Sequence, residues 1–417
     1  MINKLKQYYH NPDAKKLVGN VVWLSLLQLA GYVFSLLTIP YLAHVLGVKL
    51  YGAIAFAMAI MVYFQTLVDY GFIFSAVRDI ARVREDKESV SEIYSNVMWT
   101  RWLIVAGSFV LLLLLIFIVP KFYEMKWLLI ASFLIVIGQA MFPEWLFQGM
   151  EKMKFITIFN IAIKLVFTIA VFVFIRSSQD YILQPVLMGM GYIVSGAIAM
   201  WLIKRWGIRM RRPQFVKMIK SLKSNFDLFL NQIIPNLYNS ASVLMLGFFH
   251  GNAANGIFDA ANRFTSAGIQ LFSAVSRTFF PFLSRRMDKH SFYRNLNLIF
   301  SSCVSVVLFL GAPFIIHLFF SSDFDGAIVT LQILSVSMIF LALNNIYGTN
   351  YLILKGYERE LRRIILYSSV LGLVIGIPLM YYFSYIGVAL TILFSRGLMG
   401  VWSWLKARSI EAAKCSK

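Results

Sequence analysis

Four basic residues lie inside long apolar stretches of this 417-residue sequence, and they are the first candidates for chemistry: Lys164, Arg263, Arg277 and Arg396. An ionised side chain within a membrane span costs a few kcal/mol on insertion scales, so a deeply placed one usually serves a function. Arginine binds phosphate through two parallel N–H donors, and lysine adds a compact point charge. The four residues therefore predict a cationic cavity that binds an anion, such as a pyrophosphate group or an acidic sugar.

Three acidic residues are the main negative charges that oppose these cations: Asp69, near the inner end of its helix, Glu144 and Asp259. Asp259 precedes Arg263 by four residues, so the two share a helix face and could form a self-neutralising pair that only fixes helix packing. Glu144 follows Pro143, which can bend a helix, and both a cavity-facing role and interfacial packing stay open for it. Because carboxylates can take up protons, all three are candidates for coupling or gating.

Further charges lie near the inner ends of two predicted helices, and they are Arg78, Asp79 and Arg101. These residues predict an ion-pair network at the cytoplasmic face, which is the structural alternative for Asp69 as well. For Arg101, snorkelling or pairing with this acidic segment is expected rather than ligand contact.

Uncharged amides at membrane depth could bind sugar hydroxyls or bridge helices. They are Gln139, Asn160, Asn231, Gln232, Asn236, Asn239, Asn344, Asn345 and Asn350.

The elements that position these side chains are predicted to be transmembrane helices. Hydrophobic residues make up 59% of the chain, charged residues 14%, and the mean hydropathy is +0.72. A spanning helix needs about 20 mainly apolar residues. The sequence predicts an all-α fold with twelve spans in two six-helix bundles, near 18–46, 50–75, 97–119, 127–149, 156–175, 184–204, 226–250, 254–283, 295–320, 326–354, 364–383 and 386–405.

The domain organisation that follows has an N-terminal lobe at 1–204, a basic cytoplasmic linker at 205–224 and a C-terminal lobe with a cytoplasmic tail at 225–417. Most Lys and Arg residues fall on one side of the predicted spans, and only Lys49, Lys121, Lys126 and Arg176 fall in loops on the other. Cytoplasmic loops carry the excess of these residues, so both termini are predicted to be cytoplasmic. The net charge of +20 is then a topology signal and does not indicate nucleic-acid binding.

An internal repeat appears when the chain is shifted by about 204 positions. The shift aligns Gln28 with Gln232, Gly47 with Gly251, Gly52 with Gly256 and Ala57 with Ala261. Because each half holds an even number of helices, the implied symmetry axis runs along the membrane normal. Two bundles related in this way would face each other across a central cavity.

Several motifs carry a family resemblance over nearly the whole chain. In the first half they are NVVWLSLLQ, LLTIPYLAHVLGVKLYGAIAFAMAIMVYF, DYGFIFSAVRDIARVRED and FPEWLFQGMEKMKFITIFNIAIK. In the second half they are SNFDLFLNQ, GIFDAANRF and FPFLSRRM. The sequence resembles the bacterial O-antigen and polysaccharide repeat-unit flippases, the Wzx-type branch of the multidrug/oligosaccharidyl-lipid/polysaccharide exporters.

The resemblance implies a two-lobed transporter of the bacterial inner membrane, without enzymatic activity, that works by alternating access. Its cargo would be an undecaprenyl-pyrophosphate-linked repeat unit, carried from the cytoplasmic to the periplasmic leaflet. No cofactor or metal is expected; the coupling ion would be H⁺, with Na⁺ left open. Expected partners are membrane lipids, a polysaccharide polymerase and a chain-length regulator. Arg263 keeps the charge of a lysine common in the family, whereas Asp259 replaces an uncharged residue.

Two other functions compete with this interpretation. A drug or cation antiporter of the same superfamily would share the architecture, but it should place uncompensated acidic residues in its cavity. A membrane polysaccharide polymerase or ligase would need a large aqueous loop with paired carboxylates or a metal motif. The outer loops between the predicted spans are short, and the sequence shows neither feature.

Overall fold

The computed structural model describes the backbone of residues 12–415. Side chains are described with gaps at 12–30, 32–33, 35–36, 231, 234–239, 278, 281, 285 and 413–415. The two termini therefore lie outside the described residues, as do the side chains of Gln28, Asn231, Asn236 and Asn239.

Helices follow one another along the described chain with short connections, and no strand occurs between residues 12 and 415. The α-helices are α1 (Pro12–Asp69), α2 (Phe72–Val83), α3 (Lys87–Ile118), α4 (Pro120–Glu124), α5 (Lys126–Met141), α6 (Glu144–Gly149), α7 (Met153–Phe174), α8 (Leu183–Arg205), α9 (Phe215–Arg285), α10 (His290–Phe319), α11 (Gly326–Leu343) and α12 (Glu358–Cys415). Short 3₁₀ turns span Ser178–Ile182, Met287–Lys289 and Ser322–Phe324, and a π-helix spans Asn344–Ile353. The all-α expectation is confirmed for these residues.

The three longest helices are each interrupted at a single residue. Gly47 (φ 70°) divides α1, Gly251 (φ 82°) divides α9, and Ser384 (φ 55°) divides α12. Positive φ is open to glycine at little cost, which explains why the two glycines of the repeat occupy these turns. Each break falls between two spans that the hydropathy pattern separates. In the described residues, eight segments are long and apolar enough to cross a membrane, and the protein is a multi-pass membrane protein.

Two predicted helices differ from the structure. The third helix begins at Lys87 instead of 97, because Asp86 caps α3 by accepting a hydrogen bond from the Glu88 N–H (2.9 Å). Counting apolar residues overlooks such a polar extension. The helix predicted at 50–75 is broken after Asp69. The span at 127–149 agrees with a candidate span at Lys126–Gly149, and α5 and α6 meet within it at Pro143, the residue expected to bend the helix.

The chain forms two compact units by contact. The first contains the residues up to Val45 together with Ile60–Ile233, and the second contains Leu46–Ala59 together with Ile234–Lys417. Residues 46–59 thus pack with the C-terminal half of the sequence. The lobe boundaries expected at 204 and 225 stay a prediction.

The basic connection between α8 and α9 is held against the polar extension of α3 in the first unit. The Arg209 N–H donates to Ser91 Oγ (3.1 Å) and the Arg211 N–H to Ser95 Oγ (2.7 Å), while Trp99 Nε1 donates to the Arg211 carbonyl (2.9 Å). Side chains on α3 thereby satisfy backbone groups that a free loop would leave to water. The part of the linker from Phe215 onward is helical.

Replacing Ser95 by Ala is expected to release this connection. A lost hydrogen bond is worth about 1 kcal/mol net, which corresponds to roughly fivefold more local opening. Limited trypsin digestion of the solubilised protein should then cleave after Arg209 and Arg211 about fivefold faster. Thr100→Ala is the matched control, because Thr100 Oγ1 bonds only within α3, to the Asn96 carbonyl (2.7 Å). Equal cleavage rates for the two variants would contradict the assignment.

Candidate functional site

The junction between α1 and α2 is built by the DYGF motif. Tyr70 stacks on Phe229 with ring centroids 4.8 Å apart, and the Gly71 N–H donates to Gln232 Oε1 (3.1 Å). Gly71 has φ 77°, and a Cβ there would lie 2.6 Å from the Cβ of Leu228. Glycine is therefore required both for the turn and for the close approach of α9. Gln232 bridges helices here, one of the two roles expected for the amides.

This junction presents Asp69 to a buried arginine on α3. Arg101 is 3% exposed, and its Nη2 lies 2.9 Å from Asp69 Oδ1 and donates to the Gln139 carbonyl at 3.2 Å. Glu144, at the start of α6, accepts from Gln148 Nε2 (3.0 Å) and interacts electrostatically with Asp69 and Arg101. We call Asp69, Arg101 and Glu144 the inner charge cluster. Of the two carboxylates near this guanidinium, Asp69 forms an ion pair with it, and Glu144 contributes a longer-range interaction.

The residues of the expected cytoplasmic-face network form two separate ion pairs in the structure. Arg78 pairs with its neighbour Asp79 (2.9 Å), and both side chains are exposed. Arg101 pairs instead with Asp69, and its burial means that it does not snorkel to the interface.

In the second unit, Arg263 and Asp259 form the ion pair that their spacing allows. Arg263 Nε lies 2.8 Å from Asp259 Oδ2, and the same oxygen accepts the Tyr51 hydroxyl at 2.8 Å. The Arg263 side chain is 43% exposed, whereas Tyr51 is buried between Phe320 and Phe324. Asp259 therefore orients the guanidinium and leaves part of it accessible. Tyr51 was not predicted, because its acceptor lies 208 residues away in the sequence.

Two glycines of the internal repeat, Gly52 and Gly256, lie where two helical segments of the second unit pack backbone against backbone. A Cβ at Gly52 would overlap the carbonyl oxygen of Asn252, and a Cβ at Gly256 would overlap the carbonyl oxygen of Val48. Each glycine thus makes room for the backbone of the opposite segment. The equivalent positions of the repeat have the same structural role.

The other three predicted cations have separate surroundings. In the first unit, half-buried Lys164 on α7 packs against α1, since a Cβ at Gly31 would lie 2.5 Å from its Nζ. In the second unit, Arg277 is exposed and donates to Gln270 Oε1 (3.3 Å), and Arg396 is 8% exposed and donates to Ser337 Oγ (2.9 Å). Lys164 lies in one unit and the arginines in the other, so their joint role stays a prediction.

A buried polar network surrounds the π-helix in the second unit. Asn350 Nδ2 donates to Ser276 Oγ (2.6 Å) and to the Tyr293 hydroxyl (2.9 Å), while Ser403 Oγ donates to Asn344 Oδ1 (2.9 Å). Asn344 and Asn350 therefore bridge helices. Hydropathy predicts a continuous helix here and carries no signal for the π conformation.

The spans and the ionised groups within them define a multi-pass helical membrane protein. Its fold is similar to those of solved membrane proteins. The structure resembles an inward-facing MATE-family multidrug resistance transporter of the MOP superfamily, with a TM-score of 0.68, 15% identity and coverage of 94% of this chain and 98% of that one. It also resembles the lipid II flippase MurJ in an inward closed conformation, with a TM-score of 0.65, 17% identity and coverage of 94% and 87%.

The sequence narrows the class further. Residues 17–287 match the model of a family described as "Polysaccharide biosynthesis protein", and the chain belongs to that family. It is 28% identical over 394 residues to a candidate O-antigen transporter of Escherichia coli K12, covering 92% of this chain and 94% of the relative. It is 26% identical to a candidate O-antigen transporter of Shigella dysenteriae, covering 91% and 97%. The family expected from the motifs is confirmed.

Proposed function

We propose that the protein is a flippase that carries undecaprenyl-pyrophosphate-linked O-antigen or polysaccharide repeat units from the cytoplasmic to the periplasmic leaflet. In this proposal the chain crosses the bacterial inner membrane twelve times in two six-helix bundles, with both termini in the cytoplasm. Transport proceeds by alternating access. A polysaccharide polymerase and a chain-length regulator act on the delivered repeat unit.

The observation that carries the proposal is the similarity to candidate O-antigen transporters over more than nine-tenths of the chain. Local fragments could be shared by unrelated membrane proteins, whereas this match extends over most of both chains. The motifs that contain Asp69, Glu144 and Arg263 all fall within the family match at 17–287.

The charges inside the spans support an anionic cargo. We assign Lys164, Arg263, Arg277 and Arg396 to binding of the pyrophosphate or of an acidic sugar. Arg263 fits this role because Asp259 holds its Nε at 2.8 Å while the side chain stays 43% exposed. An oriented and accessible guanidinium can present a planar fork of donors to a phosphate oxygen pair. A cationic drug would instead require an accessible carboxylate, and Asp259 is already paired.

Proton coupling is assigned to the inner charge cluster. Asp69 and Glu144 lie around one buried arginine, so protonation of either carboxylate changes the charge balance of Arg101. Coupling to Na⁺ is the alternative, and transport driven by a pH gradient or by a sodium gradient in proteoliposomes distinguishes the two.

Arg263→Ala is expected to abolish cargo transport. In cells that depend on this protein, surface O-antigen measured on lipopolysaccharide gels should fall at least tenfold, and lipid-linked repeat units should accumulate on the cytoplasmic leaflet. Arg263→Lys should retain part of the activity because it keeps the charge. Arg363→Ala is the control, since Arg363 pairs with Glu360 and is 67% exposed. Normal O-antigen in the Arg263→Ala strain, at normal protein level, would refute the assignment.

A further inference from the structure

The helix ends of the first unit enclose a cavity of about 410 Å³ that the proposed transport reaction does not use. Its walls come from the α2–α3 connection, the α6–α7 connection and the end of α8. The volume falls within the range of about 300–1,000 Å³ that small-molecule sites occupy. The lining residues are Arg84, Glu85, Lys87, Val90, Met150, Glu151, Lys152, Trp206 and Ile208. The distribution of Lys and Arg predicts that this side faces the cytoplasm.

The carboxylates of the cavity are already engaged by one arginine. Arg84 Nη1 lies 2.7 Å from Glu151 Oε2, and Arg84 Nε lies 3.4 Å from Glu85 Oε1. Glu85 is 93% exposed, so its charge is largely screened by solvent. In the described part of the chain, neither Lys87 nor Lys152 takes part in an ion pair. The lining holds the cations Arg84, Lys87 and Lys152 against two carboxylates, so one positive charge is left uncompensated, and it is shared by the two ammonium groups.

These two lysines flank Trp206 and Gly207 at the end of α8. Lys152 Nζ lies 3.5 Å from the centroid of the Trp206 ring, which attracts the cation and fixes its position. A Cβ at Gly207 would lie 3.6 Å from Lys87 Nζ. Burial, together with the like charges of Lys154 and Lys87, lowers the pKa of the Lys152 ammonium. Trp206 thus holds Lys152, and Lys87 at the start of α3 lies beside the same helix end, without a shared counter-ion among the described residues.

We propose that this cavity, which we call the lysine cavity, binds a phosphate group through Lys87 and Lys152. Ammonium groups donate in several directions and suit the tetrahedral oxygens of a phosphate, whether it belongs to an anionic phospholipid headgroup or to a soluble phosphate. Bound phosphate would relieve the repulsion between the two lysines. The inference is independent of the cargo, because no residue assigned to transport lines the cavity.

Two probes test the lysine cavity on the full-length protein in dodecyl maltoside. Native mass spectrometry measures binding of palmitoyl-oleoyl phosphatidylglycerol, with the diacylglycerol of the same chains as the phosphate-free reference. Titration followed by ³¹P NMR line broadening measures binding of inorganic phosphate. Lys87→Gln/Lys152→Gln should weaken binding at least tenfold, and Lys87→Arg/Lys152→Arg should keep it within about threefold. Lys223→Gln is the control, since Lys223 is exposed and lies outside the lining, and it should change binding less than twofold.

Each outcome decides the proposal. Lysine-dependent binding of phosphatidylglycerol alone supports a lipid site, and lysine-dependent binding of inorganic phosphate supports a site for a soluble ligand. Unchanged binding of both probes in the double Gln variant, or an equal loss in Lys223→Gln, overturns the proposal. If the double variant elutes as an aggregate, Lys87→Gln alone serves as the test, because the exposed Lys87 can be changed without disturbing the core. It should weaken binding at least threefold, and no change would refute the site.

Discussion

Replacing Asp69 by Ala is expected to destabilise the protein by about 3 kcal/mol, the lower end of the range for removing one partner of a buried ion pair, because the Asp69 side chain is itself 49% exposed and solvent screens part of the interaction. Arg101 is 3% exposed, and its ion pair among the described residues is the one with Asp69. Without that carboxylate, the guanidinium would keep its charge inside the membrane domain with only the more distant Glu144 to compensate it. The measurement is thermal unfolding of the solubilised protein followed by size-exclusion chromatography, together with the protein level in the membrane.

A double variant distinguishes the effect of the uncompensated charge from the effect of lost packing. Asp69→Ala combined with Arg101→Met removes both charges and keeps much of the buried volume, so most of the lost stability should return. Asp79→Ala is the exposed control, because its pair with Arg78 is at the surface, where such pairs are worth about 0–1 kcal/mol. If the double variant is no more stable than Asp69→Ala, the ion pair is not the reason for the loss. If the double variant is stable but does not transport, the cluster takes part in coupling.

Gly52→Ala is expected to have the second large effect. The new Cβ would overlap the carbonyl oxygen of Asn252 and lie 2.6 Å from the Gly256 nitrogen, so two backbone segments would have to separate. Overpacking in a well-packed core costs about 1–3 kcal/mol and occasionally more, and a backbone clash belongs at the upper end. The same unfolding assay should show a clear fall in melting temperature, and Gly256→Ala should behave similarly.

Gly107→Ala provides the control for this substitution. Gly107 lies in α3, and a Cβ there would meet no atom within 4 Å. Alanine in a helix interior is favoured over glycine by about 0.5–1 kcal/mol, so this variant should be neutral or slightly more stable. A fall for Gly107→Ala equal to that for Gly52→Ala would mean that the crossing is not responsible.

Most of the helical structure could be predicted from apolar runs and glycines. The breaks at Gly47, Gly251 and Ser384 fall in the gaps between predicted spans, because hydropathy drops where the chain turns. The pattern fails where polar residues are helical. Residues 87–96 form the polar start of α3, where Asp86 caps the helix and Ser91 and Ser95 accept hydrogen bonds from the α8–α9 connection. Hydropathy reports contact with lipid and carries no information about such contacts.

Contacts within the candidate site could be predicted only where the two residues in contact are close in sequence. Asp259 and Arg263 share a helix face at a spacing of four, and the structure pairs them. The partner of Arg101 is on another helix, as are those of Arg396 and Asn350. Such pairs depend on how helices pack, which local periodicity does not specify. The proposed identity of the cargo rests on the family resemblance, because no contact in the structure identifies it.

The hydrogen bond between Tyr51 and Asp259 can form only late in the synthesis of the chain. The two residues are 208 positions apart, and a ribosome adds about 5–20 residues per second, so Asp259 is made roughly 10–40 s after Tyr51. During that interval the segment 46–59 is already synthesised while its packing surface does not yet exist. Until then the Tyr51 hydroxyl lacks its acceptor and the backbone around Gly52 lacks the segment that it packs against. Ribosome pausing or loss of a membrane insertase should therefore harm this protein more than one whose early helices pack with their immediate neighbours.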